Sequence, residues 1–264
     1  MRLDTKRALI ERYQPSFIAV PIESDQFGML IRQFPEYALV FFDDTEVLYL
    51  NRTRYPAITR ESALEALEPF GLAKNGVSQV LGSNARHAMV SEARKMLAIY
   101  PDGLRLNQLV AVVLHEEQAD DRALPFTEAI IRSFPDAPTG YGPKGDALRG
   151  LGHYRQALVA YQQALQKCSP RVKKEIYFVM GLAYRGLGEN AKAYRVFKKA
   201  VNAFSSSVTI EELYWLGSSA LLAGHKREGA MFLRFAAEKV SPQDGEWYER
   251  LKEIERSAVH VDRR

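Results

Sequence analysis

Disulfides, membrane-spanning runs, metal-ligand clusters and blocks of one charge sign are all missing from this sequence. Its one cysteine, Cys168, excludes an intrachain disulfide and leaves the compartment open, because a single thiol is compatible with cytoplasm or periplasm. Cys168 lies near an expected helix end with no histidine in sequence reach, so it reads as a structural thiol rather than a nucleophile. The longest apolar runs, residues 37–42 and 109–114, are far shorter than the roughly 20 residues a spanning helix needs. No secretory apolar region follows the first charges, so the chain as written is expected to carry neither an export signal nor an anchor. Net charge is +4 with a pI near 9.0. Lysine and arginine alternate with acidic residues along expected helices, which describes a solvated surface and not a nucleic-acid footprint. The five histidines do not cluster, and His115-Glu116-Glu117 lacks the second histidine of a zinc helix. Solvent exposure is the expectation for all of them. No cofactor or metal is expected.

What is present is a soluble globular balance, 47% hydrophobic and 26% charged, in a chain long enough for one large or two ordinary domains. A period stands out in the second half. Gly145, Gly181 and Gly217 are 36 residues apart, and so are Gly152, Gly188 and Gly224. Ala157, Ala193 and Gly229 follow the same step, as do Ala164, Ala200 and Ala236. Small residues at a helix crossing allow close approach, and glycine at 152, 188 and 224 permits a tight reversal between helices. Aromatic or leucine residues, Tyr161, Phe197 and Leu233, fall where successive pairs need filling. Ala129 with Phe134-Pro135 matches Ala164 with Ser169-Pro170 at a step of 35. That makes residues 104–116 and 121–133 an earlier, degenerate pair.

These positions resemble the tetratricopeptide repeat, whose usual length is about 34 residues. The resemblance implies helix pairs over 103–136, 137–170, 173–206 and 209–242, then a capping helix over 246–259 with Trp247, Leu251 and Ile254 inward, and a tail within 243–264. It also implies a groove lined by the first helix of each pair. In that register the groove residues are Asp146 and Arg149, then Phe178, Leu182 and Arg185, then Tyr214, Ser218 and Leu221. Where chaperone-binding members place a two-carboxylate clamp, this chain has Gly142, Asp146, Phe178 and Leu182, so a chaperone tail is not the expected ligand. The string Gly140, Gly142, Gly145 satisfies G-x-G-x-x-G, but a dinucleotide fold needs a strand before it. Here Pro135 and Pro138 precede it, and Gly145 is explained by the repeat.

The N-terminal part reads differently. Asp4 or Thr5 caps a first helix ended by Pro15, and residues 16–20 form a short buried strand. Ser24 or Asp25 starts a helix whose Phe27, Leu30, Ile31 and Phe34 share one face. Residues 37–42 and 47–51 flank the polar corner 43–46 and form a hairpin, in which the adjacent carboxylates Asp43 and Asp44 serve the turn rather than a metal. The first two strands are expected to be parallel in one small sheet. A helix is expected over 61–67, ended before Pro69 and followed by a polar loop at 74–76, and another over 84–99 capped by Asn84.

The hairpin carries a second resemblance. Tyr37, Leu39, Val40, Phe41, Asp43 and Asp44, followed by Leu48, Tyr49 and Arg52, resemble a soluble domain that follows the last membrane helix in glycosyltransferases of the dolichyl-phosphate-mannose protein mannosyltransferase type. Tetratricopeptide repeats often follow that domain in bacterial relatives. The resemblance implies an extracytoplasmic C-terminal piece of a membrane protein, on the periplasmic side of the inner membrane. Catalytic carboxylates of that family lie among its membrane helices, and none maps onto this chain.

The fold expected is mainly α, a tetratricopeptide-like solenoid preceded by a small α/β domain at 1–58 and connecting helices at 59–102. The function expected is non-catalytic binding of a protein or peptide. A free-standing cytoplasmic adaptor is the alternative, and a nucleotide-binding enzyme the third reading.

Overall fold

The computed structural model describes residues 3–77, 80, 82–170 and 172–251. The chain forms two compact units, residues 1–147 and 148–264, and each is described by itself.

In the first unit, helix α1 (Leu3–Tyr13) precedes strand β1 (Phe17–Pro21) and helix α2 (Asp25–Ile31). Strands β2 (Tyr37–Phe42) and β3 (Glu46–Asn51) follow. Helix α1 already contains Asp4 and Thr5 in its first turn, so neither caps it from outside. The helix stops as expected before Pro15, with Gln14 at φ 40°. The sheet has the order β1-β3-β2, with β3 antiparallel to both neighbours. Strands β1 and β2 therefore run in the same sense, as expected of the crossover, but the hairpin inserts β3 between them. Strand β1 is consequently an edge, not a fully buried strand. Phe17 is 58% exposed and only Val20 turns fully inward, and Pro21, with no N–H to donate, is tolerated there. A bulge between Leu39 and Phe41 sets Phe42 opposite Val47, both fully buried. Phe27, Leu30 and Ile31 on α2 are all buried, and so is Phe34, which lies beyond the helix end at Ile31.

The connecting stretch differs from the sequence reading. Helices form at α3 (Pro56–Ser62) and α4 (Pro69–Asn75), each begun by a proline whose missing N–H costs nothing in the first turn. Residues 63–67 are not helical. The Glu92 carboxylate accepts the N–H groups of Glu65, Ala66 and Leu67 at 2.8 to 3.1 Å, and Leu64 donates to the Leu39 carbonyl on β2. Tertiary acceptors thus replace the helical ones that local periodicity suggested. Helix α5 (Arg86–Ile99) begins after Ala85 without a side-chain cap, so Asn84 does not cap it.

Helices α6 (Leu104–Glu116) and α7 (Asp120–Ser133) form the degenerate pair where the register placed it. The sheet, α2, α4, α5 and α6 share one continuous apolar core. The division between the two units falls inside α8 (Tyr141–Gly150), at Ala147.

In the second unit, α9 (Tyr154–Lys167) precedes α10 (Lys173–Gly186) and α11 (Asn190–Ala200). Helices α12 (Ile210–Leu222) and α13 (Lys226–Lys239) follow. Glycines 152, 188 and 224 have φ of 75°, 72° and 90°, the left-handed turn conformation the repeat requires. Helix α12 starts with a capping box between Thr209 and Glu212, which satisfies two orphan amides. Residues 246–251 are helical and bury Leu251. The rest of the expected capping helix, Ile254 included, lies outside the described residues. No helix among the described residues is long and apolar enough to cross a membrane.

Candidate functional site: an aromatic and arginine face on the second unit

Helix α10 buries Ile176, Met180 and Ala183 on one side, which leaves Phe178, Leu182 and Arg185 half-buried on another. The site begins at a glycine. A Cβ on Gly181 would lie 2.5 Å from Phe197 Cε1, so α10 and α11 meet at a separation only glycine allows. Phe197 is fully buried there, and its ring meets Phe178 edge to face at 5.3 Å. Phe178 is thereby fixed on the wall of a cleft of about 470 Å3 that also includes Val179, Val208, Lys174 and Glu211.

Arg185 is held at the end of α10. Its Nη1 donates to Asn190 Oδ1 at 2.7 Å across the turn into α11, and its Nε is buried without a partner. The guanidinium stands 5.9 Å from the Trp215 ring centroid. Burial lowers its pKa, with Tyr214 opposing the shift. Such a group gains from an added anion, because desolvation has weakened its hydration.

Helix α12 buries Leu213, Leu216, Gly217 and Ala220 and leaves Tyr214 and Trp215 half-buried. Their rings meet edge to face at 5.3 Å. Tyr214 also meets Trp247 at 5.2 Å, and the Arg250 guanidinium lies 5.2 Å from the Trp247 centroid and 6.0 Å from that of Tyr214. The result is a run of Arg185, Trp215, Tyr214, Trp247 and Arg250, in which each cation–ring contact is worth about 0.5–1 kcal/mol where exposed. Arg250 is additionally paired with Glu246.

The remaining groove residues of the sequence reading are placed as follows. Leu221 turns against the backbone of α13, where a Cβ on Gly229 would lie 2.7 Å from it. The Ser218 hydroxyl donates back to the Trp215 carbonyl at 3.4 Å. Asp146 and Arg149 are both half-buried on α8, Asp146 in the first unit and Arg149 in the second. Trp215 and Arg250 were not among the predicted residues. A signal was available for Trp215, since α12 has no basic residue at all and is acidic only in its first turn, so its apolar surface exceeds one core face.

Other polar groups of interest serve the fold. Asp43 and Asp44 part company. The Asp43 Oδ1 accepts from the Thr45 hydroxyl and from the amides of Thr45 and Glu46, each at 2.7 Å. Asp44 instead reaches the first turn of α6, where it accepts from the amides of Leu104 at 2.7 Å and Arg105 at 3.1 Å and pairs with the Arg105 guanidinium at 3.1 Å. The turn accounts for one carboxylate only. His115, expected in solvent, pairs through Nδ1 with the buried Asp120 at 2.5 Å and ties α6 to α7. Tyr194 donates to Glu228, joining α11 to α13. Burial and that carboxylate push the tyrosine's pKa up, and the same bond holds Glu228 low. Gly140 is a packing glycine, since a Cβ there would meet Ile131 and Ile130 within 3 Å. The element before it is helix α7, not a strand. Cys168 is buried, its thiol directed to the Leu165 carbonyl.

A family model described as a tetratricopeptide repeat matches residues 174–205, the α10–α11 pair. No curated protein matches the sequence. Among solved structures, the thermophilic repeat protein TTC0263 of Thermus thermophilus is 22% identical, with a TM-score of 0.52 over 68% of this chain and 97% of its own. PilF of Pseudomonas aeruginosa is 16% identical, with a TM-score of 0.52 over 62% and 75%. YrrB, described as a repeat protein with an unusual peptide-binding site, is 16% identical, with a TM-score of 0.50 over 75% and 97%. The likenesses are of fold alone: this chain is mainly α, with a tetratricopeptide-like solenoid after its own small three-stranded α/β portion.

Proposed function

We propose that the second unit is a non-catalytic interaction module that holds an extended peptide or a protein segment along the exposed faces of α10 and α12. One observation carries the reading: the contiguous run from Arg185 through Trp215, Tyr214 and Trp247 to Arg250. Tryptophan, tyrosine and arginine are the residues that dominate binding energy at protein interfaces, and a monomer's surface has no structural need to collect them. The unusual peptide-binding site for which YrrB is described lends support by analogy of fold alone. Both of the chain's tryptophans lie in this run, so intrinsic fluorescence reports directly on its occupancy. A peptide array probed with the full chain supplies ligands. Binding perturbs tryptophan emission, and Trp215→Ala or Arg185→Ala weakens it by about tenfold or more. Ligands that bind both variants normally and leave the emission unchanged defeat the reading.

The setting we propose is the extracytoplasmic C-terminal region of a bacterial membrane glycosyltransferase-like protein, on the periplasmic side. The supporting feature is the Tyr37 to Arg52 hairpin with its two aspartates. Reading the native gene upstream of the Arg2 codon is the test. Membrane helices in frame support the setting, whereas a free-standing frame whose product is recovered from the soluble fraction makes the protein a cytoplasmic adaptor.

A further inference from the structure

A cavity of about 560 Å3 opens in the first unit, between α2, the β2–β3 hairpin and the segment 63–69, within the size range of small-molecule sites. Tyr49 lines it from the central strand. That residue is 7% exposed and its ring is set edge-on against Phe27 at 6.3 Å. Its hydroxyl makes no hydrogen bond among the described residues. The ring is buried, but the hydroxyl oxygen is not cut off from solvent, so a ligand's polar atom can reach it from the cavity. Burial, then Glu68, push the hydroxyl's pKa up while Arg32 opposes them, so charges of both signs act on it.

Those two residues line the same cavity, together with Arg52 and Glu65. Neither arginine is in an ion pair among the described residues. Arg52 is steadied by a bond from Nε to the Pro35 carbonyl at 3.2 Å. The opposite wall is also fixed, since Glu92 holds the amides of 65–67 and the Glu68 Oε2 caps α4 through the Gly71 amide. Phe34 and Leu64 supply apolar surface between the charged groups.

We propose that this cavity binds a zwitterion with an apolar body, of about dipeptide size, its carboxylate on Arg32 and Arg52, its ammonium on Glu65 and Glu68, and a polar atom on the Tyr49 hydroxyl. The arrangement matches two charges of each sign around an apolar centre, with the central hydroxyl supplying orientation.

Isothermal titration of the full chain with leucyl-leucine, its N-acetyl form and its C-terminal amide tests the assignment. The free dipeptide binds, and each blocked form, which loses one charge-assisted contact, binds about tenfold or more weakly. Tyr49→Phe keeps the ring against Phe27 and weakens binding about fivefold. Arg32→Gln, at an exposed helix end, weakens the free and acetylated dipeptides but not the amide. Arg234→Gln, on the exposed face of α13, changes nothing. No heat from the free dipeptide at millimolar concentration overturns the proposal, and so do equal affinities for the three compounds or an unaffected Tyr49→Phe protein of normal melting temperature.

Discussion

Asp44→Ala should loosen the first unit where its sheet meets α6. The carboxylate accepts two backbone amides at the start of that helix, from Leu104 and Arg105. Loss of such a cap costs about 1 kcal/mol, within a range of 0.5–2. It also pairs with the Arg105 guanidinium, where the two side chains are 27% and 18% exposed. That shielding places the pair near the upper end of the roughly 0–1 kcal/mol typical of surface pairs. The total is about 2 kcal/mol. Asp44→Asn keeps an acceptor and loses the charge, so it should cost about 1 kcal/mol. Native-state hydrogen exchange, read by mass spectrometry on peptides covering Leu104–Glu116 and the hairpin, measures this locally even though a chain of two units need not unfold in one step. Protection of the α6 peptide should fall about thirtyfold in Asp44→Ala and recover partly in Asp44→Asn. A change below about twofold, or equal effects from Asp43→Ala and Asp44→Ala on the α6 peptide, refutes the assignment of Asp44 as the helix cap.

Gly181→Ala should destabilise the second unit by up to about 2 kcal/mol, because overpacking against the fully buried Phe197, whose ring a Cβ would meet at 2.5 Å, costs about 1–3 kcal/mol against the roughly 1 kcal/mol gained in helix propensity. Phe197→Leu in the same chain should remove part of that penalty, and a urea titration showing additive effects would sink the contact as its cause. Asp43 predicts an acid dependence. Burial raises its pKa, but the Thr45 hydroxyl and the amides of Glu46 and Thr45 outweigh that, and the net shift is downward from 3.8. A depressed folded pKa means its contribution is complete above about 4 and is lost as pH falls through the lower folded value. Asp43→Asn should therefore flatten the dependence of hairpin exchange protection on pH below about 4, and an unchanged slope would contradict the turn geometry.

The sequence disclosed what depends on local spacing. A 36-residue step of glycine and alanine is a statement about helix crossings and turns, and Gly181 against Phe197 and the left-handed Gly152, Gly188 and Gly224 are its direct physical form. The shared face of Phe178, Leu182 and Arg185 was legible for the same reason, since residues four and three apart lie together on a helix. For Trp215 the sequence offered only the surplus apolar surface of α12; the register assigns it to neither core nor groove, and contacts with Arg185 and Tyr214, together with Tyr214's contact to Trp247, reveal the run.

Backbone hydrogen bonding across long separations decided the rest. Residues 61–67 have the apolar spacing of a helix, yet the helix ends at Ser62 and Glu92, 25 to 27 residues from the amides of 65–67, supplies acceptors that make a non-helical path as good. Two adjacent aspartates look equivalent in a turn, but Asp44 finds its donors 60 and 61 residues on. The hairpin was readable from its corner, while the place of β3 between β1 and β2 was not, because a strand's alternation specifies its faces and says nothing of its neighbours. Periodicity fixes which side of an element is apolar. Where its amides and charges find partners is settled only when the chain has closed on itself.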